Sequence, residues 1–209
     1  MSLIKKNNFI IITNYKCAMT SSLKISNIKK IKNVKNIKNE KIIFLYRDTI
    51  SRIISVFLQW GIGVNDREFY NKYNKFPWLY KKMKKYCNKF ELYKKYLSQK
   101  NYIGAFMLFI ETLPKMYLSN RHLHPQEKIL NDNNITNIDY SINISNKKDM
   151  EKLELLIKDS FPKANINRKI TINYKKMFID FLQRNIDYKK IITDTYWKDI
   201  IFLNKLMRT

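Results

Sequence analysis

Two short stretches of this chain combine cations and hydroxyls in an order suited to holding phosphate. The first, Asn14-Tyr15-Lys16-Cys17-Ala18-Met19-Thr20-Ser21-Ser22, follows the apolar run Phe9-Ile10-Ile11-Ile12. The second, Arg47-Asp48-Thr49-Ile50-Ser51-Arg52-Ile53-Ile54-Ser55, follows Ile42-Ile43-Phe44-Leu45-Tyr46. Each reads as a strand that turns into a helix. Such a junction gathers free backbone N–H groups and the positive end of the helix dipole at one point. One junction brings Lys16 with the hydroxyls of Thr20, Ser21 and Ser22; the other brings Arg47 and Ser55. The pair predicts one ligand with two separated anionic groups. Arg47 and Ser55 are eight residues apart, so an Arg at a strand end and a Ser two helical turns on can face the same phosphate. The planar donor fork of Arg suits that task. Arg52 reads either as a second ligand contact or as an exposed helix charge.

The two histidines, His122 and His124, sit together in Asn120-Arg121-His122-Leu123-His124-Pro125-Gln126. A side chain that titrates near neutrality is suited to taking a proton from a reacting hydroxyl. Asp66 and Glu68 are the acidic alternatives. No Cys/His spacing predicts a zinc site, and two cysteines, Cys17 and Cys87, do not make a disulfide framework. Glycines occur only at Gly61, Gly63 and Gly104, so the chain lacks the Gly-rich loop that wraps a nucleoside triphosphate.

Lys16 to Ser22 resembles the 5′-phosphosulfate loop of the sulfotransferases that use 3′-phosphoadenosine 5′-phosphosulfate (PAPS), and Arg47 to Ser55 resembles their 3′-phosphate motif. His122 to Gln126 is similar to the His-x-x-Pro-Gln segment of the carbohydrate (Golgi-type) branch and its bacterial and viral relatives. Tyr196-Trp197-Lys198-Asp199 resembles the Tyr-x-x-Asp near the end of many such chains. The four matches keep the family's order from about residue 9 to residue 203. Tyr15 and Thr49 stand where the family usually has Pro, and Met19 where it has a small residue.

The resemblance implies sulfuryl transfer from PAPS to an acceptor hydroxyl, on a carbohydrate or another acceptor, with adenosine 3′,5′-bisphosphate as the spent cofactor. It implies that Lys16, Cys17, Ala18, Met19, Thr20, Ser21 and Ser22 surround the 5′-phosphate end and that Arg47 and Ser55 read the 3′-phosphate. Catalysis would fall to Lys16, at the bridging oxygen, and to His122 as general base, with no metal. The alternatives are a basic nucleic-acid-binding protein and a P-loop-type nucleotide-binding protein without sulfotransferase activity.

The elements that must hold these residues follow from the apolar pattern. Phe9–Thr13 and Lys41–Tyr46 predict buried strands, and Asn137–Ile144 a shorter one. A helix is expected from Ser21 onward, with Ile25, Ile28 and Ile31 on it; their fixed spacing of three drifts by about 60° per step around a helix, so it frays into the Lys/Asn-rich stretch before Glu40. Helices are expected over Ile50–Trp60, Tyr102–Leu113, 149–158 and 174–205. Residues 64–100, rich in Tyr and Lys, read either as an amphipathic helical insertion whose aromatics pack inward or as a surface on which the bases of a single-stranded nucleic acid stack beside lysines. Strands alternating with helices predict a helix-rich α/β fold with three layers, P-loop-like, in which helices flank a short parallel sheet. A chain of 209 residues with 45% hydrophobic content predicts a single domain over residues 1–209. No apolar run reaches the roughly 20 residues that span a bilayer, and no signal-peptide cleavage pattern follows Lys5 and Lys6. A soluble cytoplasmic protein is expected. The net charge of +24 also predicts nonspecific attraction to polyanions.

Overall fold

The computed structural model describes residues 2–13, 25–31, 39–62, 78–120, 122–161 and 169–207. These form two compact units. One comprises Met1–Arg52, His124–Ile166 and Lys198–Thr209; the other comprises Ile53–Leu123 and Asn167–Trp197.

The first unit is built on a five-stranded sheet of β1 (Ser2–Lys6), β2 (Phe9–Thr13), β3 (Lys29–Ile31), β4 (Lys41–Tyr46) and β5 (Tyr140–Asn143) in the order β3-β1-β2-β4-β5. Strands β2, β4 and β5 are parallel. The apolar runs of β2 and β4 are continuous because both faces are covered. Ile10, Ile12, Ile42, Phe44 and Tyr46 face one side, where they meet Leu130 and Leu203. Ile11, Ile43, Leu45 and Ile142 face the other, where they meet Leu153 and Ile157. Leu130 belongs to helix α5 (Gln126–Asn131), Leu203 to α9 (Trp197–Leu206), and Leu153 and Ile157 to α6 (Lys147–Ile157).

The sheet is mixed, whereas the sequence predicts a parallel one. Residues Ser2–Lys6 form an antiparallel hairpin with β2. Asn7 at its turn takes φ 53°, a left-handed conformation that Asn tolerates better than most residues. The expected helix through Ile25, Ile28 and Ile31 is also corrected. Lys29–Ile31 instead pairs antiparallel with β1. A spacing of three places no continuous stripe on a helix, while β1 offers an open edge. The resulting edge strand is short and carries exposed lysines at 29 and 30, which discourage further pairing.

The second unit is helical. It holds the last turn of α1 (Thr49–Val56) and the wider i→i+5 turn Phe57–Gly61, with α2 (Trp78–Tyr86) and α3 (Phe90–Ser98) after them. Helix α4 (Tyr102–Met116) follows, and α7 (Lys169–Arg184) and α8 (Ile186–Thr195) complete the unit. Four phenylalanines form its centre: Phe106 lies 5.0 Å from Phe57 and 4.4 Å from Phe178, and Phe109 lies 5.3 Å from Phe57. A Cβ at Gly61 would stand 2.6 Å from the Phe57 ring, so only Gly closes that turn. In the expected insertion, Phe69, Tyr73 and Phe76 lie outside the described residues, as do Asp66 and Glu68. Tyr93 is fully buried, Tyr80 packs edge-on against Phe90 at 5.0 Å, and Trp78, Tyr80, Tyr86, Phe90 and Tyr96 are half-buried. No helix among the described residues is long and apolar enough to cross a membrane.

One polar link ties the β1–β2 hairpin to the end of α6. Lys6, nearly buried, donates to Asp159 at 3.0 Å and to the carbonyl of Ser26 at 2.9 Å, and the Ser26 hydroxyl donates to the same carboxylate. Asn7 adds a bond to the carbonyl of Ile157 at 3.2 Å. The hydrogen bonds from Ser26 and then from Lys6 hold the Asp159 carboxyl below its ordinary value. A depressed carboxyl stabilises the fold above its unfolded value, and that contribution is lost as pH falls through the folded one. Asp159→Asn should therefore lower the melting temperature at neutral pH. The gap to the unsubstituted protein should close below the usual carboxylate range. A gap that persists undiminished into strong acid would show that the effect is not ionic.

Candidate functional site

The site builds outward from the carboxyl ends of the parallel strands, the edge where open α/β sheets hold ligands. Thr13 ends β2, Tyr46 ends β4 and Asn143 ends β5. Thr13 is fully buried, and its hydroxyl has no hydrogen-bond partner among the described residues. Tyr46 is also buried, and desolvation, with the nearby Asp149 carboxylate, raises its phenol above the ordinary value. The Asn143 N–H donates to Asp149 at 2.9 Å.

Arg47 is the first residue past β4. The ladder to β5 stops just before it, where the Ile144 N–H donates to the Tyr46 carbonyl at 2.9 Å. The two main-chain groups of Arg47 would then be orphans in a half-buried place. Gln126 supplies both partners: the Arg47 N–H donates to its Oε1 at 3.0 Å, and its Nε2 donates to the Arg47 carbonyl at 2.8 Å. A side-chain amide offers a donor and an acceptor side by side without needing a proton from solvent. The backbone of Arg47 is thus clamped, while its own Nε is buried without a hydrogen-bond partner among the described residues. A held Arg with an unspent buried donor is suited to an anionic ligand.

Asp199 organises the groups behind that clamp. It lies in the first turn of α9, with no exposure to solvent. Its Oδ1 accepts the N–H groups of Gln126 at 2.6 Å and Glu127 at 3.0 Å, capping α5, whose own N-cap, Pro125, supplies no side-chain acceptor. Its Oδ2 accepts from the Thr49 hydroxyl at 3.4 Å and lies 3.6 Å from Arg52 Nη2. Arg52 Nη1 donates to the carbonyl of His124 at 2.8 Å. Arg52 is fully buried, which overturns its reading as an exposed helix charge. The α1 helix that carries it opens with Asp48, whose Oδ1 accepts from the Ser51 N–H at 2.8 Å as an N-cap. Thr49, Arg52, Gln126 and Asp199 thus hold one another and the main chain at Arg47.

The second unit holds His122 and Ser55. His122 is half-buried, with its ring stacked on Trp78 at 5.5 Å and 15° and tilted against Trp60 at 5.4 Å. Its N–H donates to Asn120 Oδ1 at 2.9 Å. Tyr196, almost fully buried, donates its hydroxyl to the carbonyl of Leu123 at 2.6 Å, which anchors the chain next to His122. Ser55 is half-buried on α1. An open cleft of about 580 Å³ between α4 and α7, lined by Lys176, Asp180 and Phe181 among others, contains none of the predicted site residues.

Lys16, Cys17, Ala18, Met19, Thr20, Ser21 and Ser22 lie outside the described residues, as does Arg121. No group of three or more metal-ligating side chains occurs among the described residues. The roles of Gln126 as a clamp and Asp199 as a buried cap are not assigned by the sequence reading. One signal was available. Asp199 falls one turn before Leu203 on the buried stripe of α9, and a carboxylate in a core stripe requires a cation and donors.

Removing one member of a buried ion pair typically costs about 3–5 kcal/mol, because the other charge is left uncompensated. Asp199→Ala should therefore reduce unfolding free energy by about that amount, measured by urea denaturation. Thr49→Val, which removes one long hydrogen bond, should cost no more than about 1.5 kcal/mol. Equal losses for the two would show that the Arg52–Asp199 pair is not the centre of the cluster. No family model, curated protein sequence or solved structure matches this chain.

Proposed function

We propose that this protein is a PAPS-dependent sulfotransferase acting on an acceptor hydroxyl, with a carbohydrate as the acceptor class. The observation that carries the reading is Arg47. It sits at the carboxyl end of a parallel strand, its backbone is clamped by Gln126, and its Nε is buried without a partner among the described residues. The residues around it support the same reading, because Asp48 and Arg52, Gln126, and Asp199 come from the three segments that resemble the family's 3′-phosphate, His-x-x-Pro-Gln and Tyr-x-x-Asp motifs. In this reading β2 and β4 are the two phosphate-bearing strands of a P-loop-like core.

When bound, PAPS supplies an activated sulfuryl group whose bond to the bridging oxygen breaks. In this reading Lys16 would meet the charge that grows on that oxygen, and Thr20, Ser21 and Ser22 would hold the 5′-phosphate. Arg47 and Ser55 bind the 3′-phosphate. Thr13, whose buried hydroxyl has no partner among the described residues, is available at the end of β2. His122 takes the proton that the acceptor oxygen loses as its bond to sulfur forms. Trp60 and Trp78 restrict the imidazole by packing on it, and Tyr196 steadies the main chain beside it.

Adenosine 3′,5′-bisphosphate should raise the melting temperature, by an amount equivalent to about 2.7 kcal/mol at 100 times its dissociation constant. Arg47→Ala should weaken it by about 1.5–3 kcal/mol and leave adenosine 5′-phosphosulfate, which has no 3′-phosphate, much less affected. No thermal shift at millimolar ligand would remove the cofactor assignment. His122→Ala should cut turnover by about 10²–10⁴ with cofactor affinity retained, and His124→Ala should be milder. A His122→Ala loss expressed mainly in cofactor affinity would make an acidic residue the better base.

A further inference from the structure

Helices α2 and α3 carry a concentration of positive charge that sulfuryl transfer does not use. Residues 78–100 are about a ninth of the chain, yet they hold eight lysines and a single acid, Glu91. That net +7 is more than a quarter of the total of +24. Lys94 pairs with Glu91 at 2.8 Å, and Lys89 lies 3.8 Å from Glu111. Lys81, Lys84 and Lys85 have no acidic partner among the described residues. They are exposed and fall at i, i+3 and i+4 on α2, opposite Leu79 and Met83, which are fully buried. That spacing makes them one outward face about 6 Å long. Beside it stands Tyr86, half-buried, with Lys82 Nζ 5.8 Å and Lys85 Nζ 5.2 Å from its ring centroid.

We infer that this face of α2 binds single-stranded nucleic acid. Three adjacent ammonium groups without carboxylate partners match a polymer of closely spaced phosphates. A tyrosine among them offers a ring for a base to stack on while the lysines stay beside its phosphate. An anionic membrane fits less well. A surface helix that lies in a bilayer buries exposed apolar side chains, and the apolar residues of α2 are already spent on the protein core. A sulfated glycan would use the lysines but has no base to stack on Tyr86. The inference stands apart from the sulfotransferase reading, and either can fail without the other.

The test is fluorescence anisotropy with a labelled single-stranded RNA of about 16 nucleotides, titrated at about 50 and 200 mM salt. The Lys81→Gln/Lys84→Gln/Lys85→Gln variant should bind about tenfold or more weakly at the lower salt. Its slope of log affinity against log salt should be shallower by about 2, since each phosphate contact on a single strand contributes about 0.7. A charge-matched control, Lys147→Gln/Lys148→Gln/Lys152→Gln on exposed positions of α6, should bind like the unsubstituted protein. Tyr86→Leu should weaken RNA by about tenfold and leave heparin unaffected. Circular dichroism confirms that each variant keeps its helices. Equal losses from the two lysine triples would overturn the proposal, because net charge alone would then explain binding. Equal losses for RNA and heparin in Tyr86→Leu, or tighter lysine-dependent binding to vesicles containing phosphatidylserine, would equally overturn it and assign the face to a glycan or a membrane.

Discussion

A carboxylate with no access to water is costly unless every lone pair is met. Asp199 is such a group, and the first unit is arranged around satisfying it. Two main-chain donors at the start of α5, one hydroxyl and one guanidinium converge on its two oxygens. Three segments distant in sequence are thereby tied to one point: the turn after β4, the Pro-Gln turn and the first turn of α9. A short helix such as α5 has little intrinsic stability. Its position follows from a cap supplied by another helix, with Leu130 seated against the sheet.

From that point the constraint passes to Arg47. With α5 held by Asp199, Gln126 is delivered to the end of β4, where its amide extends the hydrogen-bonding pattern of the sheet by one residue. Arg52 contributes differently from Arg47, although the two lie five residues apart in one stretch. Arg52 is neutralised by Asp199 and bonded to the His124 carbonyl, so it fixes the Pro-Gln turn and has its charge committed internally. The Arg47 Nε is buried without a hydrogen-bond partner among the described residues. On the proposed function, one arginine holds the frame and the other is left for the ligand. Thr49, which stands where the resembled family usually has Pro, joins the frame through its hydroxyl, so that departure takes part in the cluster.

In the second unit the ordering device is aromatic packing. Phe57, Phe106, Phe109 and Phe178 occupy its centre, and Trp60 and Trp78 close on His122. Packing of this kind limits the orientations open to an imidazole. The lysines of α2 remain on the outside because Leu79 and Met83 fill the inner face. The same helix therefore supplies core on one side and a field of like charge on the other.

The sequence by itself determined the local elements whose signal is a buried face. Strands β2 and β4 were legible because a run of four or five apolar residues between turn signals has few other uses. Helices α1, α4 and α6 were legible from their apolar periodicity, and so was the helical character of 174–205, though not its division into α7, α8 and α9. The cation–hydroxyl composition of the stretch after β4 was also legible. Tertiary structure decided what periodicity does not encode. Ser2–Lys6 and Lys29–Ile31 are strands only because partners across the sheet receive their backbone groups, and lysine-rich segments carry no strong alternation of their own. The fates of Arg52, Gln126 and Asp199 were decided the same way. A charged or amide side chain reads as surface until a long-range partner removes it from water, and partners up to 150 residues apart, as Thr49 and Asp199 are, leave no mark in local spacing.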